Sequence, residues 1–282
     1  MSPDAALGLP DDADDLRGFY FRLLLGKAST WVLLGLAVAA AAVAGGVLAG
    51  APVGAAAAVG IFLVGLLVVF AIADSRSEGA FFEAYGEQRG MTVYGKGRLP
   101  EATPLLRKGD KRYAERALEG PLDDGTQGTL ALYTYEDETT DGDGNRQTNY
   151  YRYTIGLAEV PECAAFVPEL YCQRKSGLRA LEKFEDVFRR SKERVKLESE
   201  ALDERYEIFA GKAQDANHLR QLFSPTFIVW LTDSAPKKFA FELVDGTLCC
   251  YVHGHKKKAD ELDAIRLASA AVATRLREEA TE

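Results

Sequence analysis

A long uncharged stretch near the N-terminus constrains this chain more than any other feature. Residues 28–73 contain no Asp, Glu, Lys or Arg, although charged residues make up 27% of the whole sequence. Ala51-Pro52 divides the stretch into two segments, 30–50 and 53–73, each about as long as the roughly 20 residues with which a helix crosses a bilayer. Because proline interrupts a helix and a span must satisfy its backbone internally, we expect a transmembrane helical hairpin with a short turn.

Two other structures would account for apolar segments of this length. A buried hairpin in a soluble protein would need a domain that surrounds both helices. A cleaved signal peptide usually begins with a basic region, whereas this leader contains Asp11, Asp12, Asp14 and Asp15, and a second apolar segment follows at once. We therefore expect both segments to remain in the protein as membrane spans.

Basic residues flank one end of the predicted hairpin. Arg17, Arg22 and Lys27 precede the first segment, Arg76 follows the second, and the turn has no charge. Short loops rich in Lys and Arg stay in the cytoplasm. We therefore expect a multi-pass protein of the cytoplasmic or inner membrane with both termini in the cytoplasm, and residues 1–29 as a cytosolic or interfacial segment.

Small residues within the two segments allow helix backbones to approach closely in lipid. Gly46 and Gly50 form a GxxxG pattern, and Gly60 lies in the second segment. This pattern is compatible with packing of the two helices within one chain and with a homo-oligomer. Neither segment contains an ionisable residue, so the sequence gives no support for a transport pathway.

The composition indicates which class of partner is disfavoured and in which redox compartment the cysteines lie. The formal net charge of −8 argues against nucleic acid, because nucleic-acid-binding domains usually present a basic surface. The four cysteines are too few for a disulfide scaffold, and Cys249 and Cys250 are adjacent. These features indicate free thiols in a reducing compartment.

The remaining residues, 74–282, have the pattern of a cytosolic α+β domain. Asp245-Gly246 predicts a tight hairpin, and the segments "GTLALYTYED", "TNYYRYTIGLAEV", "PELYCQRK" and "RYEIFA" read as strands. Residues 177–196 predict a charged helix, or a helix that becomes a strand near Val195. We expect mainly antiparallel sheet and a C-terminal amphipathic helix over 259–279. The apolar stripe of that helix consists of Leu262, Ile265, Ala268, Val272 and Leu276.

Several segments together resemble a known family. They are "FFEAYGEQRGM" after the hairpin, "LESEALDERYEIFAGKAQDANHLRQLFSPTFIVWLTDS", and the strand pair "FAFELVDGTLCCYVH". With the hairpin, they are similar to an uncharacterised prokaryotic, including bacterial, family of integral membrane proteins described only as a domain of unknown function. The resemblance covers most of residues 30–255, although Phe223-Ser224-Pro225 departs from a Leu-Thr-Pro-like helix start. It implies membrane location and gives no catalytic residues to carry over.

Candidate metal ligands lie in the segment "LCCYVHGHKKK", residues 248–258. Cys249 and His253 share one face of the predicted strand, as two ligands of a zinc ion would. A four-ligand site needs further residues, and the other cysteines lack CxxC spacing. The alternative is that Cys249 and Cys250 serve as small apolar core residues.

Three lysines end the same segment. Lys256, Lys257 and Lys258 are candidates for contact with anionic lipid at the cytoplasmic leaflet. The alternative is a solvated turn in which they pair with the carboxylates that follow, Asp260, Glu261 and Asp263.

Catalytic motifs are missing from the sequence. It contains no P-loop, GxSxG, HExxH or dinucleotide fingerprint, and it has three histidines. We therefore expect no cofactor and favour a membrane-tethered cytosolic interaction or scaffold module over an enzyme. Two alternatives stay open: a metal- or redox-responsive domain that uses Cys249 and His253, and an uncharacterised membrane-associated enzyme.

Overall fold

A computed structural model describes residues 12–14, 16–140, 142, 144–175, 192–212 and 214–281. It contains two compact units, one of Met1–Tyr85 with Lys257–Ala259 and one of Gly86–Lys256 with Asp260–Glu282. Asp11 and Asp15, and the predicted charged helix up to residue 191, lie outside the described residues. The end of that predicted helix, Lys192–Val195, forms a strand.

Three helices begin in the described part of the first unit: α1 (Arg17–Leu25), α2 (Ala28–Ala49) and α3 (Ala51–Arg89). Gly50 alone separates α2 from α3 and has a φ of +92°, a left-handed conformation that favours glycine. Pro52 lies in the first turn of α3, where its missing N–H leaves no intrahelical bond unmade. The predicted interruption is therefore confirmed, and the turn is shorter than Ala51-Pro52.

Helix α3 continues beyond the apolar segment that ends at Ala73. The segment "SEGAFFEAYGEQR", residues 77–89, is the last third of the same 39-residue helix. No proline lies between Val53 and Arg89, so nothing in the sequence interrupts the backbone hydrogen bonds there. Gly90, with a φ of +65°, follows the last residue of the helix.

Glycines bring α2 and α3 together within one chain. A Cβ atom built on Gly54 would lie 2.5 Å from the carbonyl oxygen of Ala42, and one built on Gly45 would lie 3.0 Å from Gly54 Cα. Among the described atoms, none lies within 4 Å of a Cβ built on Gly46 or Gly60. In-chain packing therefore relies on Gly45, Gly46 and Gly54, since a Cβ on Gly54 would also lie 2.8 Å from the Gly46 nitrogen. A homo-oligomer through Gly46, Gly50 and Gly60 stays a prediction.

The second unit contains a nine-stranded sheet in the order β1-β2-β3-β4-β9-β8-β5-β7-β6, and every neighbouring pair is antiparallel. The structure is therefore α+β with antiparallel sheet, as predicted. The strands are β1 (Thr92–Tyr94), β2 (Lys111–Pro121), β3 (Gln127–Thr140), β4 (Arg146–Glu159), β5 (Glu169–Arg174), β6 (Lys192–Val195), β7 (Tyr206–Gly211), β8 (Ala240–Val244) and β9 (Thr247–His253).

The hairpin of β8 and β9 turns at Asp245-Gly246. Both residues have positive φ, 47° and 83°, as a two-residue hairpin turn of this kind requires. Short helices interrupt the strands: α4 (Glu200–Arg205), α5 (Ala216–Leu222) and α6 (Pro225–Val229), which continues as a π-helical turn over Trp230–Ser234. Ser199, Asp215 and Ser224 cap their N-termini, each accepting a backbone N–H.

The C-terminal helix, α7 (Ala259–Thr281), packs on the sheet. All five residues of its predicted apolar stripe are at most 4% exposed. Gly156 on β4 marks the closest approach, because a Cβ there would collide with the Ser269 side chain on α7. Docking on the sheet, rather than a coiled-coil seam, therefore accounts for the stripe.

We predict that Gly156→Ala lowers the free energy of unfolding by about 1–3 kcal/mol, since the added methyl group overpacks the contact with Ser269. Gly211→Ala on β7 is the matched control, because a Cβ there meets no described atom within 4 Å. Denaturant unfolding of the full-length protein in detergent, followed by near-ultraviolet circular dichroism, measures both. Equal stability of the two variants would contradict the close approach of α7.

Candidate functional site: a buried carboxylate on the tyrosine face

Tyrosines concentrate on one face of the sheet, which we call the tyrosine face. Its rings are in contact: Tyr135 stacks on Tyr151 with centroids 4.7 Å apart, and Tyr153 lies edge-on to Tyr251 at 5.9 Å. Strand periodicity explains the arrangement, since residues two apart project to the same side. The tyrosines of this face are Tyr133, Tyr135, Tyr151, Tyr153, Tyr171 and Tyr251.

Glu242 lies on β8 among these rings and is fully buried. It pairs across the sheet with Cys249 on β9 and with Tyr171 on β5. Its Oε2 accepts the backbone N–H of Leu105 at 2.9 Å, while Oε1 has no hydrogen-bond partner among the described residues. Burial raises the pKa of this carboxyl because the charged form is poorly solvated there, and the hydrogen bond from Leu105 opposes the shift.

A connecting segment covers the carboxylate. Residues 99–108, which we call the strap, include a 3-10 turn at Leu105–Arg107 and place Leu105 and Leu106 in the tyrosine cluster. The Tyr133 hydroxyl donates to the Leu105 carbonyl oxygen at 3.3 Å. Glu242 and Tyr133 thus bind both the N–H and the carbonyl group of one strap residue.

The strap ends in a buried lysine. Lys108 is 2% exposed, and burial lowers the pKa of its ammonium group to about 8, although attraction to Glu242 opposes the shift. A buried carboxylate and a buried lysine with shifted pKa values occur at catalytic sites and in structural ion pairs. Two surface pockets of about 420 and 720 Å³ are lined by the strap residues Glu101 and Leu99, respectively, and neither reaches Glu242.

The geometry of this cluster fits a structural role. Glu242 holds the strap by its backbone, the tyrosines exclude water, and Lys108 supplies a nearby positive charge. Sequence reasoning missed both residues. The only signal for Glu242 was one acidic residue inside the apolar strand "FAFELV", and nothing in the sequence pointed to Lys108.

The candidate metal ligands Cys249 and His253 lie on one face of β9 but far apart. Four residues of strand separate their backbones by about 13 Å, whereas ligands of one zinc ion lie about 2.0–2.3 Å from it. Cys249 is fully buried, and burial raises the pKa of its thiol, while His253 is exposed beside the Tyr153 ring. No group of three or more His, Cys, Asp or Glu in the described part of the chain is arranged to hold a metal.

The geometry favours the other interpretation of the cysteines. Cys163, Cys172, Cys249 and Cys250 are all free and buried. Burial also raises the pKa of the Cys163 thiol to about 11, and the same effect acts on Cys172 and Cys250. Because the thiolate is the reactive form, these residues behave as small apolar side chains.

Each of the three candidate lipid-contacting lysines has a carboxylate partner. Lys256 Nζ lies 2.7 Å from Glu261, as the pairing alternative predicts. Lys257 pairs with Glu78 at 2.5 Å, and Lys258 pairs with Asp12 at 3.4 Å. Both partners are too far away in the sequence to have been predicted. The Ala13 N–H also donates to the Lys257 carbonyl oxygen at 3.1 Å. These contacts favour a structural role for the lysines over lipid contact.

Comparison of the chain with protein-family models, with curated proteins and with solved structures finds no match. The fold and site therefore define the class of protein on their own: an α+β protein with two long apolar helices. The resemblance to a family of integral membrane proteins stays a prediction.

We predict that Glu242→Gln and Lys108→Met are coupled by about 0.5–3 kcal/mol in the free energy of unfolding, because the attraction between the two groups is lost when either one is replaced. The double variant should be closer to wild type than the sum of the two losses. Denaturant unfolding of the full-length protein in detergent measures this cycle. Strictly additive losses would contradict an electrostatic pairing of these residues.

The pH dependence provides a second measurement on the same variants. The pKa of Lys108 is about 8 in the folded protein, whereas an unburied lysine has a pKa of 10.5. The unfolded chain therefore holds this proton more tightly, and the stability penalty from Lys108, complete below pH 8, disappears as the pH rises towards 10.5. The stability difference between wild type and Lys108→Met should shift in favour of wild type over this interval.

Proposed function

We propose that the protein is an integral membrane protein that α2 and the first half of α3 anchor in the bilayer, and that its second unit is a cytosolic interaction or scaffold module. One observation carries the membrane assignment. Large apolar side chains of both helices are exposed, including Val47 at 80%, Leu48 at 85% and Leu67 at 67%.

Exposure of this kind is unfavourable in water. Burying one large aliphatic side chain is worth about 1.5–3 kcal/mol, and the two helices expose many of them. Both are long and apolar enough to span a membrane. The 22 residues of α2 extend about 33 Å, which matches a hydrocarbon core of about 30 Å. A bilayer satisfies both the apolar side chains and the hydrogen-bonded helical backbone.

The flanking charges support an orientation. Arg17, Arg22, Lys27 and Arg76 lie at the end opposite the Gly50 turn, which has no charge. The positive-inside rule then favours both termini in the cytoplasm. Trp31, 49% exposed, donates its indole N–H to the Leu25 carbonyl oxygen at 2.7 Å, at a position suited to the membrane interface.

The second unit supports a binding role over catalysis. Its shifted carboxyl and ammonium groups, Glu242 and Lys108, are enclosed rather than presented in a pocket. Its β3–β4 hairpin instead projects beyond the strands on either side. Residues 137–140 of β3 pair only with residues 146–149 of β4. The pairing of β2 with β3 ends at Glu136, and the pairing of β9 with β4 ends at Tyr153, so neither neighbouring strand extends along the tip. This projecting, polar hairpin is the proposed contact for a protein partner.

We expect a single cysteine in place of Ala51 to react from outside intact cells with a membrane-impermeant maleimide. The four native thiols are buried, so they can remain in the folded protein. Ser75→Cys, exposed at the other end of the hairpin, is the control and should react only after permeabilisation. A reporter active only in the cytoplasm should function when fused after Glu282. Labelling of Ser75→Cys alone in intact cells would show an inverted orientation.

A second prediction concerns the module. The intact protein, tagged at its C-terminus and purified from detergent-solubilised membranes after cross-linking, should retain a protein partner. Replacing residues 137–149 by Asn-Gly, which shortens the hairpin to a two-residue turn, should abolish that retention while leaving the sheet folded. Equal retention by both proteins would place the contact elsewhere, and no partner above background with the intact protein would contradict the interaction module.

A further inference from the structure

We propose that Arg22, Lys27 and Arg76 bind the phosphate groups of anionic phospholipids at the end of the hairpin opposite its turn. The proposal rests on the membrane insertion proposed above and identifies its lipid partner. These three residues replace Lys256, Lys257 and Lys258, which the sequence suggested, as the candidates for lipid contact.

The cations of the first unit fall into two groups. One group is neutralised within the protein: Arg17 pairs with Asp74 at 3.1 Å and with Asp14 at 3.3 Å, and Lys257 and Lys258 pair with carboxylates as described above. A cation whose charge is already balanced gains little from a lipid phosphate.

The other group consists of Arg22, Lys27 and Arg76. All three are exposed, and within the described residues none of them forms an ion pair with a carboxylate. The Arg22 Nε–H donates to the Gly18 carbonyl oxygen at 3.2 Å, and the exposed guanidinium group has no carboxylate partner among the described residues. These charges are available for an external anion.

Helix packing brings the three charges to one end of the hairpin. Gly45 lies against Gly54 and Leu34 against Gly65, so the antiparallel register places Lys27 near Ile72. Arg76 follows Ile72 by four residues, about 6 Å along α3. Phe21, next to Arg22, contacts the Phe70 ring at 5.9 Å and so holds α1 against the same part of α3.

The neighbouring apolar side chains fix the environment of these charges. Phe19 and Leu23 on α1 are 37% and 39% exposed, and Trp31 lies one turn after Lys27. A site with exposed apolar groups on one side and unpaired cations beside them matches the boundary between acyl chains and headgroups. A guanidinium group binds two phosphate oxygens at once, and an ammonium group adds a point charge. A phospholipid supplies both the phosphate and the acyl chain, and an anionic one is preferred because its headgroup has no positive charge that repels the three cations.

Trp31 provides a reporter for the test. The full-length protein with Trp230→Phe retains Trp31 as its one tryptophan. It is reconstituted into phosphatidylcholine vesicles that contain an equal fraction of either brominated phosphatidylglycerol or brominated phosphatidylcholine. Bromine quenches tryptophan on contact, so quenching by either lipid reports insertion, and the ratio of the two reports preference for the anionic headgroup.

We expect quenching by brominated phosphatidylglycerol to exceed that by brominated phosphatidylcholine by about twofold or more, because each unpaired cation attracts anionic lipid. Arg22→Gln, Lys27→Gln and Arg76→Gln combined should bring the ratio to one while leaving quenching by brominated phosphatidylcholine unchanged. The matched control combines Lys256→Gln, Lys257→Gln and Lys258→Gln. It removes the same charge and should retain the preference.

The outcomes separate the two proposals. Equal quenching of the parent protein by both lipids overturns the anionic-lipid site and leaves membrane insertion standing. A preference that the control loses and the first triple variant keeps assigns lipid contact to Lys256, Lys257 and Lys258, and so overturns the site as well. No quenching by either lipid contradicts membrane insertion itself.

Discussion

The poor solvation of charge in an apolar environment governs both units of this protein. In the first unit, residues 28–73 carry no charge, and the backbone groups of α2 and α3 are hydrogen-bonded within each helix except at the helix ends. In the second unit, one carboxylate, Glu242, is buried, and it lies near a buried lysine and accepts a backbone N–H. The two units differ because an apolar helix can do without ionisable groups, whereas the sheet uses one carboxyl group to hold the strap.

The strap shows what the buried carboxylate achieves. A loop over a sheet has backbone groups that the strands do not satisfy. Glu242 accepts the Leu105 N–H, and Tyr133 donates to the carbonyl oxygen of the same residue, so one strap residue has both backbone groups satisfied. Apolar packing of Leu105 and Leu106 then excludes water, which strengthens these bonds and raises the pKa of the carboxyl. The position of the strap, the burial of Glu242 and the pKa of its carboxyl group thus depend on one another.

Charge pairing also decides which cations can act outside the protein. Sequence proximity drew attention to three consecutive lysines, yet each lies beside a carboxylate, in two cases from a residue more than 170 positions away in the chain. Arg22, Lys27 and Arg76 are scattered in the sequence and form no such ion pair among the described residues. A cluster of like charges in the sequence is therefore a poor guide to the free charge on a surface.

Local structure was predictable from the sequence. The uncharged segments predicted the two apolar helices, and Asp245-Gly246 predicted a hairpin. The 3.6-residue period predicted the buried stripe of α7. Each of these features depends on residues within a few positions of one another. The other contacts depend on how distant segments pack together. Strand pairing places Cys249 opposite Glu242, and the strap places Lys108 close enough to Glu242 for their charges to interact. Asp12 of the N-terminal segment pairs with Lys258. These contacts join residues far apart in the chain, and the desolvation of a group depends on everything that surrounds it, which no local pattern records.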